Sequence, residues 1–368
     1  MKFLTESKNP VDKVFLIIVV ILLTFGIFIF SSASLGLLAR GESFVAVALK
    51  QFVVGIVGGG IGAYMLSRFH YRNLRKIAFW FFVASVFLTA LVFVPGLGYS
   101  HGGATRWLNI GGFRLQPAEF LKLGTVMYLS ALFSSKHIQP DKFRQGFLPL
   151  FGVLGIVSGL LYMQPDTGTL AVIVFTSGVL YFIAGARWKH IATLGIICAL
   201  AIAGLTISKH YIFDRIVTFL NPQNDAQGAG YQVQKALLAV GSGQIFGRGF
   251  GQSVQKFNLL PEPVGDSIFA VAAEEFGFIG SVTIVLLFLF FTLRGLYLAA
   301  RAPDTFARLL IIGIVILISS QSFVNIGTMI GLVPLTGVPL LFISQGGTAL
   351  LAALLGVGII LNISRYRT

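Results

Sequence analysis

The chain is 368 residues long, 56% of them apolar and only 11% charged, and its mean hydropathy is +0.87. These values exclude a water-soluble globular domain and define a multi-span membrane protein. The formal net charge of +14 does not make the chain a nucleic-acid binder: its basic residues are spread over short loops instead of one face, where they report topology.

Apolar runs of about 18 residues or more read as spanning helices. Ten such runs are present, at 13–33, 46–66, 76–95, 117–135, 146–163, 169–185, 189–208, 266–294, 307–331 and 340–363. The predicted fold is therefore an all-α polytopic bundle, one integral membrane domain over 1–368. A single long loop, 209–263, separates spans seven and eight. The first run is too long for the apolar region of a signal peptide and lacks a small-residue cleavage site, so it is expected to stay as an anchor. With the N-terminus inside, the cytoplasmic loops hold most of the 27 Lys and Arg, which places both termini in the cytoplasm. Cys198 is the single cysteine, which excludes an internal disulfide.

That orientation gathers the informative polar segments on the outer side. In "SHGGATRWLNIGGFRLQPAEF", Arg106 beside Trp107 reads either as a bidentate phosphate ligand or as an interfacial anchor. Pro117 suits the first turn of span four, where Glu119 complements the positive helix end and Lys122 follows three residues later. Glu119 and Lys122 are expected to pair, either as a packing ion pair or as part of a site, since ionisable groups inside a span are functional candidates. Asp166 in "QPDTGT" reads as a turn or helix-capping residue. Within the long loop, Gly230–Gly243 puts Val233, Ala236, Leu237 and Val240 on one helical stripe, an amphipathic interfacial helix. The glycines of "GSGQIFGRGFGQSVQK" form a tight turn with Arg248 and Lys256 nearby.

In the stretch "LPEPVGDSIFAVAAEEFGFIG" three carboxylates, Asp266, Glu274 and Glu275, open span eight. A helical advance of about 100° per residue from Asp266 puts Glu274 about 80° away and Glu275 about opposite. The three acids therefore do not form one cluster. Asp266, nearest to water, is either a helix cap or a reactive group. Glu274 and Glu275 lie deeper and need partners such as Lys122 or polar groups of a neighbouring helix.

Five segments, "GATRWLNIGGFRLQPAEFLKL", "QPDTGT", "GYQVQKALLAVGSGQIFGRGFGQSVQK", "LPEPVGDSIFAVAAEEFGFIG" and "NIGTMIGLVPLTGVPLLFISQGGTALL", together resemble the SEDS family of FtsW, RodA and SpoVE over essentially the whole chain. "GQSVQK" and "LPEPVGDSIFAV" resemble FtsW members more than RodA members. Two departures stand out. Gly265-Asp266-Ser267 replaces a usual Thr-Asp-Phe, and "SQGGTA" puts Gln345 where an aromatic is usual, keeping the Gly346-Gly347 step.

The resemblance implies ten spans in the bacterial cytoplasmic membrane and a peptidoglycan glycosyltransferase that polymerises lipid II at the outer face. It implies a class B penicillin-binding protein, the transpeptidase, as partner, docked through spans eight and nine. Small positions there, such as Gly313, are the expected contact points. Extending a glycan from a lipid-linked donor needs a base for the acceptor hydroxyl and cations for the departing pyrophosphate. Asp266 is the expected base. Arg106, Lys122, Arg248 and Lys256 are the pyrophosphate candidates, with Glu119 orienting Lys122. The implied inversion at the sugar carbon needs no second carboxylate as nucleophile. No motif demands a cofactor, and a divalent cation at the pyrophosphate stays open. Two other functions use the same residues, a lipid II flippase and a non-catalytic scaffold for the transpeptidase.

Overall fold

The structure is a computed structural model that describes residues 9–38, 44–101, 103–111, 113–208, 210–221, 228–257 and 259–367. Helix α1 (Lys13–Leu38) is followed by a nearly continuous rod made of α2 (Phe44–Lys50), a π-helical stretch Gln51–Gly58 and α3 (Gly59–Arg68). Then come α4 (Tyr71–Ala90), strands β1 (Gly98–His101), β2 (Ala104–Ile110) and β3 (Phe113–Leu115), and helices α5 (Pro117–Phe133), α6 (Leu148–Met163), α7 (Thr167–Ile183) and α8 (Trp188–Ser208). The chain continues through α9 (His210–Leu220), α10 (Ala229–Ser242), α11 (Ile268–Ala300), α12 (Thr305–Met329) and α13 (Gly347–Ser364).

The helical bundle is the one that the apolar runs predict. Among the described residues, 7 helical stretches are long and apolar enough to cross a membrane. The remaining three runs form α5 and α7, each 17 residues, and α8. The last run is shortened. Helix α13 begins at Gly347, and 331–346 is irregular backbone, folded back among the helices. Such backbone is tolerated at membrane depth where protein buries it.

A three-stranded antiparallel sheet, in the order β1-β2-β3, is an addition to the all-α expectation. Gly103 and Gly111, both at positive φ, turn the chain between its strands, and Leu108 faces Gly98 on one side and Leu115 on the other. The sheet delivers the chain directly into Pro117 of α5.

Helix α12 is the hub, packed against α5, α7, α11 and α13 and buried along most of its length. Packing inside a bilayer rests on close approach of small residues more than on hydrophobic transfer. Gly313 illustrates it: a Cβ there would lie 2.5 Å from Val126 and 3.0 Å from Leu180. Gly313 therefore faces the core, and the expectation that it probes the partner dock is corrected. Between spans eight and nine the exposed apolar face belongs to α11, at Leu286, Leu289, Phe290 and Leu293.

The long loop is partly helical, in α9 and α10. Helix α10 buries Gln232, Val233, Ala236 and Ala239 and leaves Leu237 exposed, so its packed face is rotated from the predicted stripe. On that packed face Gln232 Nε2 donates to Ser267 Oγ at 2.9 Å, at the start of α11.

Helix α11 is broken at Gly277, where φ is 65° and ψ −161°, a conformation that glycine alone adopts readily. The break frees backbone groups, and the loop 244–249 takes them. Arg248 and Gly249 donate to the carbonyls of Glu274 and Glu275, and Phe278 and Ile279 donate to the carbonyls of Gln244 and Ile245. Four of the backbone groups at the break are thus paired by the loop, as apolar surroundings favour.

Candidate active site

Asp266 stands two residues before α11, at the end of a turn wound over Glu262. The amides of Gly265 and Ser267 both donate to the Glu262 carbonyl, at 3.0 and 3.2 Å. Irregular segment 331–346 and α12 then fix this turn from three directions. Gln345 N donates to Val264 O at 2.7 Å, Ser344 Oγ to Gly265 O at 2.8 Å, and Asn325 Nδ2 to Asp266 O at 2.8 Å. The carboxylate lies against Gly337, where an added Cβ would stand 3.6 Å from Asp266 Oδ2. Helix α11 has Ser267 as its N-cap residue and no side-chain cap. Capping therefore does not account for Asp266.

The surroundings tune its acidity. Desolvation of the half-buried Asp266 carboxyl raises it to about 6, the nearby charge of Glu262 adds to the rise, and Arg215 and Arg106 pull the other way. A carboxylate poised there is largely ionised at neutral pH, yet basic enough to accept a proton in a transition state.

Of the cations expected around it, Arg106 is in its field. The half-buried Arg106 leaves β2 to clasp the turn between α6 and α7. Its Nε donates to Gln164 O at 3.2 Å and its Nη2 to Pro165 O. That turn ends in Asp166, whose Oδ1 accepts from Thr169 N at 3.2 Å and caps α7, the bland role the sequence allows. The start of α7 in turn presses on the irregular segment, since a Cβ on Gly168 would lie 2.5 Å from Thr336 O.

Glu119 and Lys122 do pair, at 2.8 Å and almost fully buried. Lys122 Nζ also donates to Gln321 Oε1 on α12, and Gln321 Nε2 donates to Pro339 O at 3.1 Å. The ion pair is therefore wired to the segment that walls Asp266.

Glu274, Glu275, Lys256 and Arg248 form a separate assembly: of the two kinds of partner expected for the glutamates, Lys122 is not used, and Ser32 of the neighbouring α1 donates to Glu275. Lys256 is fully buried, its Nζ 2.7 Å from Glu275 Oε1, 3.0 Å from Ser32 Oγ and 2.9 Å from Gly251 O. Glu274 accepts from Ser253 Oγ, Val254 N and Gln255 N, with Arg248 Nε 3.6 Å away. These groups lock the loop 244–257 onto α1 and the break in α11. The Lys256 ammonium is taken up by these three contacts, and Arg248 is tied to the same clasp.

The sequence reading missed Arg215, Glu262, Gln321 and Asn325. Arg215 lies on α9, which has a strong apolar-polar asymmetry that was there to be read. Gln321 and Asn325, two amides one turn apart in an apolar helix, were a signal too. Among the described residues no three His, Cys, Asp or Glu side chains gather as metal ligands, and the second carboxylate at the mouth is Glu262.

The model of the cell cycle protein family FtsW/RodA/SpoVE matches residues 12–368. The chain belongs to this family. Its relatives include stage V sporulation protein E of Bacillus subtilis, 39% identical with 99% of each chain covered. Another is the probable peptidoglycan glycosyltransferase FtsW of Trichlorobacter lovleyi, 37% identical over 96% of this chain and 93% of that one. Among solved structures, a chain from a peptidoglycan synthase complex that coordinates polymerisation and crosslinking superposes with a TM-score of 0.79 at 27% identity, covering 97% of this chain and 98% of that chain. The Thermus thermophilus rod shape determining protein RodA gives 0.70 at 26% identity, covering 99% and 98%. The FtsW/RodA/SpoVE fold thus extends over the chain from end to end.

Proposed function

We propose that the chain is a peptidoglycan glycosyltransferase that extends glycan strands from lipid II, in cell division or cell-shape maintenance, with Asp266 as its general base. The observation that carries the assignment is Asp266 itself: a carboxylate that caps nothing, held by its backbone at the mouth of a span, with acidity shifted toward neutrality. In the reaction the acceptor sugar's 4-hydroxyl attacks the anomeric carbon of the lipid-linked donor. Its proton passes to Asp266, and the bond to the polyprenyl pyrophosphate breaks with inversion. Arg106 and Arg215 supply positive charge on this side of the bundle for the departing pyrophosphate. Lys122 acts from below through Gln321. The lipid-linked donor is supported by a groove of about 410 Å³ between α1, the π-helical stretch and Phe342–Ile343, lined by apolar side chains such as Phe30, Phe52 and Leu350. One segment thus borders both the groove and Asp266.

Purified protein, alone and with a class B penicillin-binding protein, is to be incubated with labelled lipid II. Glycan polymer in the absence of any other glycosyltransferase supports the assignment; lipid II left unpolymerised under both conditions sinks it in favour of a flippase or scaffold. The synthase complex among the structural relatives supports such a partner, with the exposed face of α11 as its dock.

The pH dependence is a separate check. Only the ionised Asp266 accepts a proton, so the rate is expected to climb roughly tenfold per pH unit below about 6 and to level off above it. A flat profile between pH 5 and pH 8 would remove Asp266 from the role.

The reading also places Asp266 outside and both termini in the cytoplasm. In a Cys198→Ser background, Gln252→Cys is expected to react with an impermeant thiol reagent in intact cells and Lys142→Cys is not; both positions are exposed. The reverse pattern would put the site on the wrong side for exported lipid II.

A further inference from the structure

We infer that Asn325 is the positioning residue of the Asp266 base: its amide holds both the backbone of Asp266 and the wall on which the Asp266 carboxylate rests. The inference builds on Asp266 being the base. Asn325 is 1% exposed, and its Nδ2 donates to Asp266 O and to Val338 O, each at 2.8 Å. Both hydrogens of that amide are therefore committed. The orientation is forced, because a flipped amide would set its oxygen against two carbonyl oxygens. Its Oδ1 is buried without a hydrogen-bond partner among the described residues. A buried amide oxygen left unpaired is costly, so what holds Asn325 in place is its two donors.

The second bond is what separates positioning from plain packing. Val338 follows Gly337, the residue that faces Asp266 Oδ2, and Gly337 has φ +70°. One turn earlier on α12, Gln321 donates to the next carbonyl, Pro339 O, and receives Lys122, itself paired with Glu119. Two amides spaced i, i+4 thus grip successive carbonyls of the irregular segment, and only the upper one also reaches the base. Asn325 thus bridges Asp266 and the stretch of the segment that walls its carboxylate, beside the direct bonds from Ser344 and Gln345, and the buried ion pair on α5 anchors the rung below.

The test compares Asn325→Ala and Asn325→Asp in the full-length protein, with lipid II polymerisation measured as kcat, KM and pH profile, and thermal midpoint measured on the same samples. Asn325→Ala removes both donors, and Asn325→Asp keeps the shape while offering at most one O–H in place of the two N–H donors. The charged groups that bear on Asp266 are Glu262 on its own turn, Arg106 on β2 and Arg215 on α9; segment 331–346 carries none, and Asp166 starts the helix packed on Thr336. All are unchanged in Asn325→Ala, which adds no charge of its own, so the acid limb is read in that variant; Asn325→Asp, which sets a further carboxyl beside Asp266, is read by kcat and KM. The expectation is a fall of about 10² in kcat, KM for lipid II within threefold, and an acid limb displaced from that of the parent. If the alanine variant does not fold, Asn325→Ser, which keeps one donor, is expected to fall between parent and Asn325→Asp. A kcat and acid limb within twofold of the parent, whatever the thermal midpoint, overturns the positioning role. Asp266→Asn is run alongside. Activity there overturns base and positioning residue together, whereas an inactive Asp266→Asn beside an unimpaired Asn325→Asp overturns the positioning role alone.

Discussion

Asp266→Asn is expected to abolish polymerisation while the protein still inserts, folds and binds lipid II. The substitution is close to isosteric, and the backbone bonds from Asn325, Ser344 and Gln345 reach carbonyls of residues 264–266, so the turn keeps its supports. What disappears is the proton acceptor. Loss of a general base typically costs about 10²–10⁴ in rate. A lost helix cap would cost only about 1 kcal/mol of stability, and α11 has no side-chain cap to lose. Polymerisation by Asp266→Asn within a few-fold of the parent at equal expression would move the search for the base to Glu262, the other carboxylate at the mouth.

Lys256→Met is expected to act on the fold instead of the chemistry. Removing one partner of a buried ion pair strands the other charge, which typically costs about 3–5 kcal/mol, and Glu275 is 1% exposed with no water to turn to. That is a large part of the roughly 5–15 kcal/mol by which a domain is stable. The yield of monodisperse protein and its thermal midpoint should therefore fall steeply. The double variant Lys256→Met/Glu275→Gln should regain much of both, because a neutral pair leaves no stranded charge and Ser32 can still serve the amide. A single variant as stable as the parent would mean that the pair does not hold the loop 244–257. Polymerisation per folded molecule is the readout that separates this cluster from the base: it should change little in the double variant.

What the sequence disclosed follows from which interactions are local. Apolar runs are continuous along the chain, so α1, α4, α6, α11 and α12 could be read from composition, and Glu119 and Lys122, three residues apart on one helix, were recognisable as a pair. Asp266 stood out because a carboxylate followed by a greasy helix demands a reason. The partners of Lys256 were hidden because nothing adjacent to it announces a carboxylate 19 residues on and a hydroxyl on α1, at Ser32. The β-sheet escaped because β1 and β3 have only 4 and 3 residues, too short for alternation to show. The irregular run 331–346 was as apolar as a span at its far end, and only the path of the backbone reveals that it folds under Asp266. Asn325 was visible as an amide in an apolar helix, but its role depends on two carbonyls from segments far apart in sequence.

The interruption at Gly277 turns two amides in the middle of an apolar rod into a gauge. In an unbroken helix the amide protons of Phe278 and Ile279 would report on their own span. Here they are held by Gln244 and Ile245, residues of a loop that precedes the helix, so their rate of exchange with deuterium measures how often that loop lets go. Slow exchange at these two sites would mean that the half-helix running from the break to Ala300 moves as one piece with the loop 244–249. Exchange faster than at the flanking positions would time the opening of the clasp itself, residue by residue, without any probe being attached.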